Sequence, residues 1–398
     1  MTDKPNVVVA GHLCLDIYPD MSGSTPEQFR KAFMPGHLMR VGSISFATGG
    51  PVSNTGLALH KLGIATQVMG KVGDDFSGQV IRQIITGYSP HLVEGMIVDP
   101  SVSTSYTIVI SPPGIDRILL HCPGANDSFS ADDVRYDLLA DADLFHFGYP
   151  PLMRRMYEPD GWQLAEIFRR AKALGVITSL DMAFPDPASA AGQADWRSIL
   201  ELALPHVDIF MPSIEEILLM LRRPTYEALF QQAEGGNLLP LITLDLLSDL
   251  GCELLNMGAR IIGLKLGDRG LYLHTAQLSS LTDMGRARPS HLEAWADKKL
   301  WSACFVVDVV GTVGSGDATI AGFLSALLRD SSPEQAVTAA VAVGACNVEA
   351  ADTLSGIRTW EQTRQRIADG WQKRPLDLTA QGWRFDAVQR LWVGPATR

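Results

Sequence analysis

Short β-branched runs alternate with longer helical stretches along most of this chain, and that alternation limits the fold more than any other feature. Asn6 to Ala10 is an apolar run ended by Gly11, the pattern of a buried strand. A helical pattern follows from Pro51, with Leu57, Leu59, Leu62 and Ile64, ending near Gly63. Gln67 to Val72 reads as a strand and Gln79 to Ile85 as a helix. The rhythm resumes with a strand at Leu144 to Phe147, a helix at Gly161 to Leu174 and a strand at Val176 to Asp181. Ile199 to Leu204 is expected to be helical and Ile209 to Pro212 extended, with helices over about 214–222 and 243–258. Arg260 to Leu266, Gly270 to His274 and Phe305 to Val310 read as strands, and Asp317 to Leu328 and Pro333 to Val348 as helices. Such an order predicts an α/β fold with a mainly parallel sheet covered on both faces.

Some segments break the rhythm. Residues 20–48 mix Gly, Pro and Ser with isolated apolar positions, as loops and short strands do. Thr104 to Ser111 and Arg117 to His121 read as two strands joined by the turn Pro112 to Asp116, a small accessory sheet. Residues 275–300 are expected to form an extended surface loop, and residues 358–398 a C-terminal helix and tail with no strand in the sheet.

Composition removes several function classes. With 46% hydrophobic and 19% charged residues, 398 residues are enough for a large core, and disorder is excluded. The net charge of −11 lacks the basic footprint of sequence-independent nucleic-acid binding, while a phosphate site needs only local donors. Cys14, Cys122, Cys252, Cys304 and Cys346 are scattered, with no C-x-x-C pair. That fits a reducing, cytoplasmic setting and neither a zinc ribbon nor a disulfide scaffold. The apolar run Val7 to Ala10 is too short for a signal peptide, and no stretch reaches the roughly 18 uncharged apolar residues of a membrane span.

The segment Gly311-Thr312-Val313-Gly314-Ser315-Gly316-Asp317 carries the clearest chemistry. Its three glycines stand at a strand-to-helix junction, where the backbone approaches a ligand closely. Free N–H groups of the first helical turn then form an anion hole, with the helix dipole behind them. Asp317 stands at its mouth, where a carboxylate takes a proton from an attacking hydroxyl. The same residues also fit a glycine-rich turn with an aspartate cap, and spacing alone does not separate the two. A Walker A loop is excluded because no lysine is present, and a dinucleotide fingerprint because Thr319 stands where its third glycine belongs. A second segment, Gly49-Gly50-Pro51-Val52-Ser53-Asn54, opens a helix and offers the Asn54 amide to a polyol, or is an ordinary loop-to-helix joint. Asp181 ends a strand, as a site residue or as a turn cap. His12 and His146 lie near strand ends and read as structural, and Trp295 and Trp301 as loop packing.

Together these segments resemble the two signatures of the ribokinase-like (PfkB) family of sugar and nucleoside kinases. The first is similar to D-T-x-G-A-G-D, written here G-T-V-G-S-G-D, and the second to G-G-x-x-x-N. Further pieces fall in the family's order: Gly11 to Asp16, Gly70 to Asp75, Arg117 to Asn126, and Lys265 to Gly270 as K-x-G-x-x-G. The resemblance spans about residues 6–357, which sets a kinase domain of 1–357 ahead of the 358–398 tail. It implies a three-layer αβα fold with a small β lid drawn from segments near 12–48 and 95–125. It implies ATP and magnesium, and a sugar or nucleoside acceptor phosphorylated on a hydroxyl. Asp317 takes the place of the catalytic base, with Gly314, Ser315 and Gly316 as the anion hole. Asp16, Gly50 and Asn54 fall at the acceptor side, and Lys265, Gly267, Gly270, Thr312 and Asn347 at the nucleotide side. For a nucleoside acceptor, Phe33, Phe46 and Tyr106 are the aromatic residues at hand in the lid segments.

Two departures matter. Gly311 replaces the aspartate that helps hold a monovalent cation, which predicts weak or no potassium activation, and Asp308 is no assured substitute. The family's N-x-x-E reads Ser213-Ile214-Glu215-Glu216, keeping Glu216 for an indirect, water-mediated magnesium contact but losing the asparagine. That loss is compatible with either tolerated or reduced activity, and with a non-catalytic binding protein of the same fold. The alternating lid hairpin makes pairing of two copies through their lids an expectation.

Overall fold

The computed structural model describes residues 6–32, 34–114, 118–376, 378 and 380–395. Phe33, residues 115–116 of the expected turn and Arg117 of the expected second strand lie outside them. Sixteen strands are described in chain order. The first eight are β1 (Asn6–Gly11), β2 (Cys14–Pro19), β3 (Ile44–Gly49), β4 (Ala65–Met69), β5 (Lys71–Gly73), β6 (Ile97–Asp99), β7 (Tyr106–Ile110) and β8 (Ile118–Cys122). The rest are β9 (Leu144–Gly148), β10 (Ile177–Leu180), β11 (Ile209–Phe210), β12 (Ile261–Lys265), β13 (Leu271–Thr275), β14 (Lys299–Ser302), β15 (Arg384–Asp386) and β16 (Leu391–Val393).

Ten of them form one sheet, in the order β15-β16-β14-β13-β12-β11-β10-β9-β1-β4. Neighbours from β4 to β12 run parallel, and β13, β14, β16 and β15 extend that edge antiparallel. β1 shows why the sheet is a middle layer. Val7 and Val9 enter one apolar core, and Val8 and Ala10 the opposite one. A strand buried on both faces has no polar alternation, which is why Asn6 to Ala10 reads as a continuous apolar run. The first core holds the helices Pro51–Lys61, Ser315–Leu327 and Pro333–Asn347, and the second holds Trp162–Ala173, Trp196–Ala203, Ile214–Leu221 and Leu244–Asn256. Small residues let the first group close up. A side chain at Gly322 would meet the Ala339 carbonyl oxygen at 2.9 Å.

A separate sheet of order β3-β2-β7-β8 forms the lid, and β5 pairs with β6 beside it. The expected three-layer α/β architecture with a small lid is what the chain adopts.

Several local expectations differ from the structure. Phe305 to Val310 is not a strand: Phe305 makes one bridge to Lys373, and the following residues are irregular. The strand lies earlier, at β14, and the valine-rich run instead leans on the C-terminal segment, with Val306 N–H donating to the Gln372 carbonyl at 2.8 Å. The tail expected to add no strand supplies β15 and β16 after the helix Trp360–Ala368, anchored by Leu391, which is buried, and by Trp392 Nε1 donating to the Leu376 carbonyl. Three-residue strands carry too little periodicity to be read from sequence. Residues 275–300 fold into the short helices Leu278–Leu281 and Leu292–Trp295, with Trp295 buried, and Arg223–Gln232 forms a helix that was not expected.

Candidate active site

The parallel strands all end at one edge of the sheet, where open α/β sheets place their sites. His12 follows β1, Tyr149 follows β9, Asp181 follows β10, Ser213 lies shortly after β11, and Lys265 ends β12. The N-termini of the helices Pro51–Lys61 and Ser315–Leu327 meet above them, bringing Asn54 and Asp317 together.

Asp317 is almost fully buried, at 1% exposure. Asn54 Nδ2 donates to its Oδ2 at 3.0 Å, the Tyr149 hydroxyl to the same oxygen at 2.9 Å, and Thr55 Oγ1 to Oδ1 at 3.3 Å. Burial raises the carboxyl's pKa, while Asn54, the Lys265 charge, Tyr149 and Thr55 hold it down. Burial also pushes the Tyr149 pKa well up, so its hydroxyl keeps the proton it donates. Tyr149 reaches Asp317 from a left-handed backbone position, φ 64°.

Gly314, at φ 74°, precedes the first turn of the Asp317 helix, and no side chain caps that turn. Ser315 N–H bonds the Thr312 carbonyl at 3.3 Å, while the N–H groups of Gly316 and Asp317 have no acceptor among the described residues. Lys265 stands over them: a side chain at Gly316 would come 3.5 Å from its Nζ. Lys265 Nζ also pairs with Asp181 Oδ1 at 2.5 Å. Burial raises the pKa of Asp181, Lys265 opposes that rise, and the charges of Glu216 and Asp317 add to it. Asp181 Oδ2 is buried without a partner. Glu216 forms a capping box with Ser213, taking the Ser213 N–H on Oε2 at 2.6 Å while Ser213 Oγ accepts the Glu216 N–H at 3.2 Å. Serine in place of the family's asparagine therefore secures the helix that carries Glu216.

The lid meets this site where His121 lies against His12. Strand pairing puts Asp16, Ala47, Thr107 and His121 on one face of it. Thr107 Oγ1 lies 3.0 Å from His121 Nδ1, and the His121 ring lies 5.4 Å from that of His12. Both His12 ring nitrogens and Asn54 Oδ1 are buried without partners. Burial, then His121, lowers the His12 pKa to about 3, so its ring is neutral. Gly50, at φ 91°, is required here, because a side chain would sit 2.4 Å from the His12 carbonyl oxygen. Phe46 pairs with Ile17 and Tyr106 with Leu15, which puts both on the face opposite Asp16. His146 is buried, with Nδ1 against Ser179 Oγ at 2.9 Å, and burial, then Lys265, lowers its pKa to about 3.

Beyond Lys265 opens a cavity of about 530 Å³. Gly267, Gly270, Thr312, Ser315, Gly316 and Thr319 line its polar end, and Phe305, Val306, Val307, Val309, Val341, Ala345 and Val348 its apolar walls. Arg374 lines it too, paired with Asp268 at 3.4 Å. Gly267 and Gly270 both need positive φ, 52° and 95°. Asn347 is not among the lining residues; it is buried, with Nδ2 donating to the Thr353 carbonyl at 2.7 Å. Among the described residues no group of three or more His, Cys, Asp or Glu is arranged to hold a metal ion directly.

The sequence profile described as "pfkB family carbohydrate kinase" matches residues 4–360. The chain belongs to the pfkB family of carbohydrate kinases. This pfkB kinase is 24% identical over 377 residues to "Probable fructokinase-6, chloroplastic" of Arabidopsis thaliana, covering 92% of this chain and 83% of that protein. It is 24% identical to "ATP-dependent ribose-1-phosphate kinase" of Halopiger xanaduensis over 75% of this chain and 79% of that one. A fructokinase from Xylella fastidiosa solved with bound ATP superposes with a TM-score of 0.65 at 18% identity, covering 92% of this chain and 99% of the other. Arabidopsis thaliana ribokinase complexed with ribose and ATP gives a TM-score of 0.65 at 17% identity, covering 91% and 98%.

Of the residues singled out in the sequence of this pfkB kinase, Asp317, Asn54, Gly314, Ser315, Gly316 and Lys265 converge, while Asp16 lies in the lid sheet, Gly50 beside His12, and Gly267, Gly270 and Thr312 along the cavity beyond Lys265. Tyr149 and Thr55 were not foreseen. Neither stands in a motif, and both reach Asp317 only through the packing of distant segments.

Proposed function

We propose that this pfkB kinase transfers the γ-phosphoryl group of ATP to a hydroxyl of a sugar, with Asp317 as general base. The observation that carries this is the buried, triply hydrogen-bonded Asp317 on a helix start where the Gly316 and Asp317 N–H groups have no acceptor among the described residues, between an apolar cavity and a pocket of unpartnered polar atoms. In the mechanism, Asp317 accepts the proton of the sugar hydroxyl, the oxygen attacks the γ-phosphorus, and the bond to the β–γ bridging oxygen breaks as ADP leaves. The N–H groups of Gly316 and Asp317, with Lys265, hold the phosphoryl oxygens as charge shifts onto them. Asp181 fixes Lys265 in place. The valine-lined walls take the adenine, and Gly267 and Gly270 let the backbone lie close to it. ATP is supported by the two solved relatives that carry it, and magnesium by a ribokinase from E. coli whose structure holds ATP and Mg²⁺. Magnesium, when bound, neutralises phosphate charge; Glu216 and the open Asp181 oxygen are the residues suited to its water shell.

A sugar is favoured over a nucleoside because the polar atoms left unpaired at His12 and Asn54 suit hydroxyls, while Phe46 and Tyr106 turn away from that pocket. Asp317→Asn tests the assignment. Turnover is expected to fall about a thousand-fold with ATP-analogue affinity kept within a few-fold, and unchanged turnover would refute it. We further propose that two copies pair through their lids, whose Ile44, Leu119 and Leu120 are exposed.

A further inference from the structure

Residues beyond 360, past the family match, complete a second cavity of about 550 Å³ whose other wall comes from residues 305–360, and which shares Phe305 with the first. Four cationic side chains line it, Arg329, Arg364, Lys373 and Arg390, against a single carboxylate, Asp330. That carboxylate is already engaged by the Ser290 N–H at 2.8 Å and by the Ser290 hydroxyl. Arg329 is anchored on the carbonyls of Ser325 and Leu62. Arg364 is exposed and makes no hydrogen bond or ion pair among the described residues. Lys373 faces only neutral acceptors: Ser302 Oγ at 2.7 Å, Thr338 Oγ1 at 3.4 Å and the Arg390 carbonyl at 3.1 Å. Burial, then the Arg390 charge, draws the Lys373 pKa down to about 7. In a chain of net charge −11, four cations against one lining carboxylate are a local excess of positive charge, which Glu361 offsets only at Arg329.

We propose that this pocket binds a small polyanion of the phosphate-ester or inorganic polyphosphate class, and that its occupancy biases the neighbouring nucleotide cavity. Multiple cations around a cavity are what recognise such anions, and Trp360 and Phe305 supply apolar wall for an organic portion. The coupling runs through two paired segments, Cys304-Phe305 and Lys373-Arg374. Phe305 bridges Lys373 in backbone pairing, Arg374 N–H donates to the Cys304 carbonyl at 2.8 Å, and the Arg374 side chain lines the first cavity. An anion that draws Lys373 from its neutral acceptors therefore shifts the residue beside Arg374. The coupling, unlike the binding, rests on reading the first cavity as the nucleotide site.

The test is calorimetric titration of inorganic pyrophosphate into protein saturated with a non-hydrolysable ATP analogue, which blocks the first cavity. Binding is expected, and Arg364→Glu, a surface change that breaks no bond in the fold, is expected to weaken it at least ten-fold. Absence of binding to the loaded wild type, or equal binding by Arg364→Glu, overturns the proposal. Glucose 6-phosphate in a parallel titration separates an organic phosphate ester from the inorganic anion: the one bound more tightly names the class. Coupling is read from a fluorescent ATP analogue, whose affinity is expected to change at least two-fold with pyrophosphate in wild type and not in Arg364→Glu. No change in wild type overturns the coupling. Failure of the analogue to bind at all would strike the nucleotide reading instead, and pyrophosphate titration of the empty protein, with and without Arg364→Glu, then decides the pocket alone.

Discussion

At Asp317 burial and hydrogen bonding act in opposite directions, and the pH dependence of catalysis reports the balance. Burial raises the carboxyl above its ordinary value of 3.8, and Asn54, Lys265, Tyr149 and Thr55 restrain the rise. A base must be deprotonated, so kcat/KM is expected to fall with acid through a midpoint above that ordinary value. Lys265→Met removes a positive charge that favours the carboxylate, so the midpoint is expected to move further up while the rate drops. A pH–rate profile of both proteins checks this, and a downward move would contradict the assigned field. The residues differ in how far their sequence shows them. Asp317 stands in a contiguous motif whose glycines announce a helix start. Lys265 and Asp181 are 84 residues apart, and only the adjacency of strand ends pairs them. The role of Tyr149 depends on a left-handed turn after β9 that its tyrosine side chain does not advertise.

Among the elements, the loop ahead of the Asp317 helix shows how a departure from the family's pattern is built into the backbone. A side chain at Gly311 would meet the carbonyl oxygens of Ala350 and Ala351 at 2.9 and 3.1 Å. Restoring the aspartate therefore forces the 350–351 backbone aside rather than rebuilding a cation site. Gly311→Asp is expected to cost about 1–3 kcal/mol, a fall of a few degrees in Tm, and to leave the enzyme indifferent to potassium. Thermal unfolding and assays with and without potassium measure both, and potassium activation of the variant would contradict the steric argument. Continuous apolar strands and amphipathic helices were legible because their burial follows a period. The run Phe305 to Val310 misled because β-branched residues there wall a cavity rather than join a sheet, which propensity alone does not distinguish.

Across the whole molecule, the C-terminal segment ties the sheet's antiparallel edge to the cavity beyond Lys265. Trp371 stacks on Phe305 at 4.3 Å and its Nε1 donates to the Val306 carbonyl. Trp371→Ala is expected to raise the KM for ATP several-fold with little change in kcat, since it loosens a cavity wall and leaves Asp317 in place. Steady-state kinetics would contradict this if kcat alone fell. Gel filtration at micromolar concentration is expected to return a dimer, and a monomer would remove the lid-pairing proposal. The order of α/β elements made the architecture readable at this scale, but the closure of residues 371–393 onto the sheet was not, because it depends on short strands and single aromatic anchors. The most direct test of the central claim is ADP release with ATP and magnesium across a panel of free sugars, sugar phosphates and nucleosides, with and without potassium. A free sugar is predicted to stimulate release in the wild type, independently of potassium, and Asp317→Asn to abolish that stimulation. Stimulation by nucleosides alone, or by no sugar while an ATP analogue still binds, would contradict the account.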